Sequence, residues 1–233
     1  IFIISKNKNN IKKYFFNDKL YLNILKKKKD KRIENEYKKL KKYRKMIKFV
    51  YQNKPRGTGD AVLKCNNHIK EKYFLMLLPD DLIIKKNCTK EMIKLHNQKN
   101  ASVIATKKIP KETVSRWGIL SLKNKNKNNF QITDVVEKPK LKDAPSNFAI
   151  IGRYILPKTI MNEIKNLKPG QGNEIHITDA IKNLIQKDEN FYGSIFKGQY
   201  LDCGTMTGYI NSAIKMSKEK KWIYVWLAPD MLV

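Results

Sequence analysis

Aspartates follow two short apolar runs of the sequence, in a pattern that could bind a metal ion. The run at residues 73–78 leads through a proline to Asp80 and Asp81, and a second short run ends at Asp202. In open α/β sheets, ligands collect beyond the carboxyl ends of strands, where rigid carboxylates can hold a divalent cation against phosphate oxygens. The alternative is that each aspartate only caps the helix or turn that follows, which is the commoner role of a single aspartate.

A glycine-containing turn is a candidate site for a flat ligand. Gln52 follows a predicted strand at residues 47–51, and Gly57 and Gly59 precede a predicted helix at residues 61–69. Glycine lets the backbone approach a ligand closely, and the Gln52 amide offers a donor and an acceptor to the edge of a base. A lone Gly-x-Gly is weak evidence, and an ordinary turn before a helix stays open as the alternative.

A polar pair closes a predicted strand at residues 130–136. Glu137 can accept hydrogen bonds from sugar hydroxyls, and Lys138 can neutralise a sugar phosphate. The alternative is a surface ion pair without a role in binding, which is usual for an isolated Glu-Lys pair.

Apolar runs of strand length alternate with helical patterns along the chain. This alternation predicts an α/β fold with a largely parallel sheet covered by helices. The predicted strands lie at residues 2–4, 47–51, 73–78, 102–106, 119–122, 130–136, 148–154 and 191–196. Between the first two, the spacing of Ile33, Tyr37 and Leu40 predicts a helix at residues 26–46 that packs on the sheet, with a basic membrane-surface helix as the weaker alternative.

The formal charge of +28 on 233 residues invites a nucleic-acid interpretation, because lysine and arginine neutralise phosphates. The lysines are spread along the whole chain, and no aromatic platform alternates with a basic stripe. We therefore expect no nucleic-acid partner and interpret the charge as solvated surface. Such a field still favours small polyanionic substrates.

The three cysteines, Cys65, Cys88 and Cys203, are odd in number and widely separated. Their spacing suits neither a disulfide framework nor a zinc site, and it favours a reducing cytosol. The sequence has no recognisable secretory leader and no apolar run long enough to span a bilayer. We therefore expect a cytoplasmic protein with no membrane partner.

Seven motifs, in this order and spacing, resemble those of bacterial UTP–glucose-1-phosphate uridylyltransferases, or UDP-glucose pyrophosphorylases, in the sugar nucleotidyltransferase family. The resemblance runs from Ile1 to about Met216. The motifs are Gln52-x-x-Pro55-x-Gly57-x-Gly59, Leu77-Leu78-Pro79-Asp80-Asp81, Ser115-Arg116-Trp117-Gly118, Glu137-Lys138-Pro139, Ala144-Pro145-Ser146-Asn147, Glu174-Ile175-His176-Ile177-Thr178-Asp179-Ala180 and Asp202-Cys203-Gly204.

The resemblance implies a Rossmann-like three-layer nucleotidyltransferase fold with a mixed, mostly parallel sheet from which the N-terminal strand is missing. It also implies nucleotidyl transfer from UTP to glucose 1-phosphate, with Mg²⁺ as cofactor and a homo-oligomer as the complete form. The implied roles are uracil recognition by Gln52 and Gly57, magnesium ligation by Asp80 and Asp202, glucose contacts by Gly118 and Glu137, binding of the sugar phosphate by Lys138, and catalysis by Lys138, Asp80 and Asp202.

The sequence departs from the family pattern at both ends and in one turn. It lacks the glycine-rich loop that would precede the strand at residues 2–4, so we expect an N-terminally truncated domain at residues 1–216 with impaired activity. A non-catalytic fragment that binds sugar nucleotides, or an interaction remnant, is the alternative. Arg56, Thr58 and Asp60 replace leucine, leucine and histidine of the family pattern. Residues 217–233 form a tail without a family counterpart.

Overall fold

The computed structural model describes residues 1–218, which divide into two compact units. The first unit holds Ile1–Lys70 and Met161–Ala180, and the second holds Glu71–Ile160 and the chain from Ile181 onward. Nearly all of the predicted tail at residues 217–233 lies outside the described residues. No helix within residues 1–218 combines the length and the apolar character that crossing a bilayer would require.

The strands and α-helices of the described chain are numbered in sequence order. The strands are β1 (Phe2–Ile4), β2 (Phe49–Tyr51), β3 (Tyr73–Leu77), β4 (Asp81–Ile84), β5 (Ser102–Lys108), β6 (Gly118–Lys123), β7 (Asn129–Glu137), β8 (Phe148–Pro157), β9 (Phe191–Ile195) and β10 (Gln199–Asp202). The helices are α1 (Asn9–Phe16), α2 (Asp18–Lys28), α3 (Lys31–Arg44), α4 (Thr58–Leu63), α5 (Cys88–Lys99), α6 (Ile160–Asn166), α7 (Ile177–Gln186) and α8 (Met206–Ser217).

The first unit contains a parallel pair of strands, β1 and β2, and a cluster of apolar side chains from the helices between them. Tyr37 and Leu40 are buried and Ile33 packs against them, so the predicted apolar stripe is confirmed. The predicted helix at residues 26–46 is interrupted, however, because Asp30 starts α3 as its N-cap. Its carboxylate accepts a hydrogen bond from the backbone N–H of Arg32 at 2.8 Å.

The second unit contains a six-stranded sheet with the order β3-β8-β5-β9-β7-β6 and a separate antiparallel pair of β4 and β10. The mixed α/β class is confirmed. The expected predominance of parallel pairing is wrong: in the six-stranded sheet only the β5–β9 pairing of the described residues is parallel. One reason is that β6 and β7 are joined by a short hairpin loop rather than by a helical crossover.

The core of this sheet lies under α5. Met92 and Leu95 of the helix pack against Val103 and Ala105 of β5 and against Ile151 of β8. Strand β8 pairs with β3 on one side and β5 on the other, and nine of its ten residues are buried. A strand covered on both faces has to be apolar throughout, which explains why it was predictable from sequence.

Candidate functional site

The antiparallel pairing of β4 with β10 brings the two predicted aspartate motifs together. Asp81 is the register partner of Asp202, and the backbone N–H of Cys203 donates to the carbonyl oxygen of Asp80 at 2.8 Å. Asp80 is exposed and Asp202 is partly exposed, so both carboxylates can reach a ligand from solvent.

The Asp80 and Asp202 carboxylates converge on Gly204. A Cβ atom placed on Gly204 would lie 2.9 Å from Asp80 Oδ2 and 3.4 Å from Asp202 Oδ1. Asp202 Oδ1 accepts a hydrogen bond from the Gly204 N–H at 2.9 Å, and Asp202 Oδ2 lies 3.5 Å from Nη2 of Arg116. Because residue 204 is a glycine, the space between the oxygens of the two carboxylates stays open. The cationic side chain of Arg116 already approaches Asp202.

These two carboxylates suit a magnesium ion that also keeps water and substrate ligands. They do not suit a metal ion that is ligated by protein side chains alone. Within residues 1–218, no group of three or more His, Cys, Asp or Glu side chains is arranged to hold a metal. Mg²⁺ commonly takes one or two carboxylates and completes its shell with water and substrate phosphates. The structure brings Asp80 and Asp202 together as the sequence predicts, and their role as metal ligands stays a prediction.

Asp81, in contrast to its neighbour, is buried and committed to the fold. Its carboxylate accepts hydrogen bonds from the Gly152 N–H at 2.7 Å and from the hydroxyl of Tyr200. Burial raises the pKa of Asp81, and the two hydrogen bonds oppose that rise. Burial also raises the pKa of Tyr200, and the hydrogen bond to Asp81 raises it further. Asp81 thus joins β4, β8 and β10 beneath the exposed pair.

The role of Asp81 could not be predicted from the sequence, because its partners are distant along the chain. One signal was available: Gly152 stands alone inside the apolar strand β8. An isolated glycine in a strand marks a close approach of another group, and a Cβ at this position would collide with the Asp81 carboxylate.

The residues that the resemblance assigns to the sugar lie together at one end of β6 and β7. Gly118 and Glu137 are register partners, and the backbone N–H of Lys138 donates to the Trp117 carbonyl at 2.9 Å. Lys138 Nζ lies 3.8 Å from Glu137 Oε1. The side chains of Glu137 and Lys138 thus emerge side by side next to Gly118.

The segment Arg116 to Gly118 links this strand end to the aspartates. Arg116 reaches Asp202, and the Trp117 ring meets the Tyr200 ring edge-on with centroids 6.0 Å apart. Tyr200 in turn bonds to Asp81. The carboxylate pair and the Glu137–Lys138 pair therefore belong to one connected region of the second unit.

The glycine turn of the first unit is shaped by a backbone segment packed against it. Gly57 has φ of +100°, and a Cβ there would lie 2.6 Å from the carbonyl oxygen of Ile175. The Gly59 N–H donates to that same oxygen at 2.8 Å, and the Ile175 N–H donates to the Arg56 carbonyl at 2.8 Å. Helix α4 starts at Thr58 and ends at Leu63, earlier at both ends than the predicted 61–69.

Gln52 is placed against this turn by its side-chain amide. Nε2 donates to Asp60 Oδ2 at 2.8 Å and lies 3.2 Å from the Gly57 carbonyl oxygen. The structure thus brings the two predicted base-reading residues, Gln52 and Gly57, into contact. Asp60, one of the three departures from the family pattern in this turn, accepts the hydrogen bond that holds the amide in place.

Comparison with known proteins adds a family to this geometry. Residues 9–219 match the model of a protein family described as nucleotidyl transferase. A UTP–glucose-1-phosphate uridylyltransferase of Streptococcus pyogenes is 36% identical to this chain over 179 residues, and the match covers 74% of this chain and 59% of the relative. A second form of that enzyme is 36% identical over 174 residues. The chain thus spans less than two thirds of the length of that curated relative.

Solved structures of similar proteins agree with this family. A UDP-glucose pyrophosphorylase complexed with UDP-glucose is 32% identical with a TM-score of 0.78, covering 93% of this chain and 80% of its own. A UTP-bound enzyme from Acinetobacter baumannii is 28% identical with a TM-score of 0.73, covering 97% of this chain and 83% of its own. Nucleotidyltransferases generally use a divalent metal, in keeping with the exposed carboxylate pair.

Proposed function

Because the chain belongs to the nucleotidyl transferase family, we propose that it transfers the uridylyl group of UTP to glucose 1-phosphate, giving UDP-glucose and pyrophosphate. The observation that carries the proposal is the convergence of the Asp80 and Asp202 carboxylates on Gly204, in a region that the segment Arg116 to Gly118 connects to the Glu137–Lys138 pair. The similarity to uridylyltransferases and to structures with UDP-glucose and UTP supports the choice of substrates.

The proposed reaction is a direct displacement at the α-phosphorus of UTP. A phosphate oxygen of glucose 1-phosphate forms the new P–O bond, and the bond from the α-phosphorus to the bridging oxygen breaks as pyrophosphate leaves with the electron pair. No covalent intermediate with the protein is needed, so catalysis rests on positioning and on neutralising charge.

Glu137 and Lys138, at the end of β7, and Gly118 of β6 would bind glucose 1-phosphate. Lys138 offers a compact cation to the phosphate of glucose 1-phosphate, which lowers the repulsion between the two phosphates as they approach. Glu137 accepts hydrogen bonds from sugar hydroxyls, and Gly118 opposite lets the sugar approach the backbone.

In the first unit, Gln52 and Gly57 would read the uracil. In the second unit, Asp80 and Asp202 would hold Mg²⁺. Bound there, Mg²⁺ would neutralise phosphate oxygens of UTP and stabilise the charge that develops on pyrophosphate. The free thiols of Cys65, Cys88 and Cys203 fit a reducing compartment, so we propose that the reaction takes place in the cytoplasm. We also propose that the complete enzyme is a homo-oligomer.

The test measures both turnover and binding on the 233-residue protein. UDP-glucose formation from UTP, glucose 1-phosphate and MgCl₂ is followed by ³¹P NMR, and UTP and UDP-glucose binding by titration calorimetry. We expect Asp80→Asn and Asp202→Asn to abolish turnover and to weaken the magnesium-dependent part of UTP binding, while the unfolding transition stays close to that of the wild type.

Asp134→Asn is the matched control, because Asp134 is also a partly exposed strand aspartate with a cationic neighbour, Lys182 at 3.4 Å. It should behave as the wild type. Binding of UDP-glucose without turnover would support the non-catalytic alternative, and a wild-type protein that neither binds nor turns over these compounds would refute the proposal.

A further inference from the structure

The orientation of the Gln52 side-chain amide is fixed by the chemistry of its two neighbours. Both groups that face it, Asp60 Oδ2 at 2.8 Å and the Gly57 carbonyl oxygen at 3.2 Å, are hydrogen-bond acceptors without a proton to give. An amide has one nitrogen with two protons and one oxygen that only accepts. The nitrogen must therefore face Asp60 and Gly57, and both of its protons are directed toward the protein.

The remaining polar atom of the amide, Oε1, is left for a ligand. Within residues 1–218, no donor is found bonded to this oxygen, and Gln52 is only half-buried. Gln52 can therefore offer a ligand an acceptor but no donor. A ligand read by this side chain has to present an N–H or O–H group.

Asp60 is placed to hold this orientation firmly. The residue is buried at 6% exposure in α4, and its other carboxylate oxygen lies 3.4 Å from Nζ of Lys64 one helical turn away. A carboxylate accepts more strongly than a neutral group, which disfavours the flipped amide, whose oxygen would face the Asp60 carboxylate. Of the two acceptors, Asp60 makes the shorter contact.

Pyrimidine bases differ at the position that such an acceptor reads. Uracil carries an N3–H donor between two carbonyl groups, whereas N3 of cytosine is an acceptor. An outward-facing Oε1 pairs with the first and repels the second, and discrimination of this kind is strong because a buried polar group is left unpaired in the wrong complex.

We propose that Asp60 is a positioning residue that sets pyrimidine selectivity by holding the Gln52 amide with its oxygen toward the nucleobase, so that uridine nucleotides are accepted and cytidine nucleotides rejected. This rests on the proposed function, in which Gln52 reads the base. Asp60 acts through Gln52 and does not itself touch the base.

The experiment compares UTP and CTP on the 233-residue protein, by calorimetric binding with MgCl₂ and by kcat and KM for the transfer wherever turnover is measurable. In Asp60→Leu the amide is free to turn and to offer its N–H to cytosine N3. We expect the preference for UTP over CTP to fall about tenfold or more, which is the worth of about one hydrogen bond, through weaker UTP and stronger CTP binding.

Two variants separate positioning from a structural role. Asp60→Asn keeps an acceptor oxygen for Gln52 Nε2 and should retain most of the preference. Lys64→Met removes only the ion pair and should leave the preference unchanged. A general loosening of the turn would instead weaken UTP and CTP equally and leave their ratio as it was, which would overturn the proposal.

A measurement on the wild type keeps the proposal testable if Asp60→Leu does not fold. Both side-chain amide protons of Gln52 should exchange slowly with solvent in ¹H–¹⁵N spectra, before and after UTP binds, and fast exchange would contradict the assignment. A wild-type protein that binds UTP and CTP equally refutes the selectivity but leaves the transferase proposal standing. One that binds neither refutes both.

Discussion

Gly118 and Glu137 face each other as register partners in the antiparallel pair of β6 and β7. In the sequence the two belong to separate motifs, and the hairpin between them is what makes them neighbours. Lys138 follows immediately, with its backbone N–H bonded to the Trp117 carbonyl. A sugar phosphate bound at this strand end would meet a bare backbone on one strand and a carboxylate with a cation on the other.

Glu137→Gln tests this arrangement. The change keeps the size of the side chain and removes the charge that strengthens its hydrogen bonds to sugar hydroxyls. We expect KM for glucose 1-phosphate to rise roughly tenfold to thirtyfold, as for the loss of a charge-assisted hydrogen bond, with KM for UTP little changed. Glu112→Gln, at an exposed position of the chain, is the control, and an unaltered sugar KM in Glu137→Gln would rule out the assigned contact.

The ion pair of Arg116 with Asp202 leads to a prediction about metal affinity. Under the proposed function, the guanidinium, 3.5 Å from Asp202 Oδ2, would compete with Mg²⁺ for that oxygen in the absence of nucleotide. An exposed pair of this kind is worth about 0–1 kcal/mol, so Arg116→Met should tighten Mg²⁺ binding by up to about fivefold. Arg116→Lys keeps the charge as a control, and calorimetric titration with MgCl₂ decides. Weaker binding in Arg116→Met would contradict the competition.

Tyr200→Phe should destabilise the fold in a pH-dependent way. The hydroxyl donates to the buried Asp81 carboxylate, and its loss leaves that carboxylate short of a partner, at a cost of about 1–3 kcal/mol near neutral pH. Tyr192→Phe, at another partly buried tyrosine of the second unit, is the control. The measurement is urea unfolding at about pH 7 and about pH 4.

The sign of the pH effect follows from the raised pKa of Asp81, caused chiefly by burial. The folded state holds the proton more tightly than the unfolded state, so the contribution of this group to stability is full below the ordinary carboxyl pKa and is lost as pH rises through the raised value. The Tyr200 hydrogen bond limits that loss. The gap between wild type and Tyr200→Phe should therefore narrow as the pH falls, and a gap that widens would contradict this account.

Gly57→Ala and Gly172→Ala form a matched pair in the first unit. Both glycines have positive φ, +100° and +71°, but a Cβ at Gly57 would lie 2.6 Å from the Ile175 carbonyl oxygen, whereas Gly172 has nothing within 4 Å. We expect Gly57→Ala to lower the free energy of unfolding by about 3 kcal/mol and Gly172→Ala by about 1 kcal/mol. Equal losses of unfolding free energy in the two variants, measured by thermal or urea unfolding, would show that the Ile175 backbone shifts away from the added Cβ at no energetic cost.

The strands were the most predictable part of the fold. All eight apolar runs chosen from the sequence are strands in the structure, because strands such as β8 are buried on both faces and have to be apolar. Strand β4 was not predicted, and β10 was indicated only by the short run that ends at Asp202, since each strand is four residues long and includes an aspartate. Strand direction was also beyond the sequence pattern, because apolar runs are alike whether a hairpin or a crossover joins them.

The residue types of the candidate site could be predicted from the sequence, but the different roles of its aspartates could not. Asp80 and Asp81 are adjacent and chemically identical, yet one is exposed beside Asp202 and the other is buried under Tyr200 and Gly152. That difference is decided by residues far away along the chain. The same holds for Asp60, whose contact with Gln52 depends on how the turn folds back.

The backbone of Lys138 has φ of +45°, a left-handed conformation that a side chain makes costly. Glycine would adopt it with less strain, so Lys138→Gly should give a protein at least as stable and poorer in function. Lys138 combines a proposed binding role with an unfavourable backbone conformation, so selection for stability and selection for activity would favour different residues at this position. A library selected for heat resistance alone would be expected to lose this lysine early.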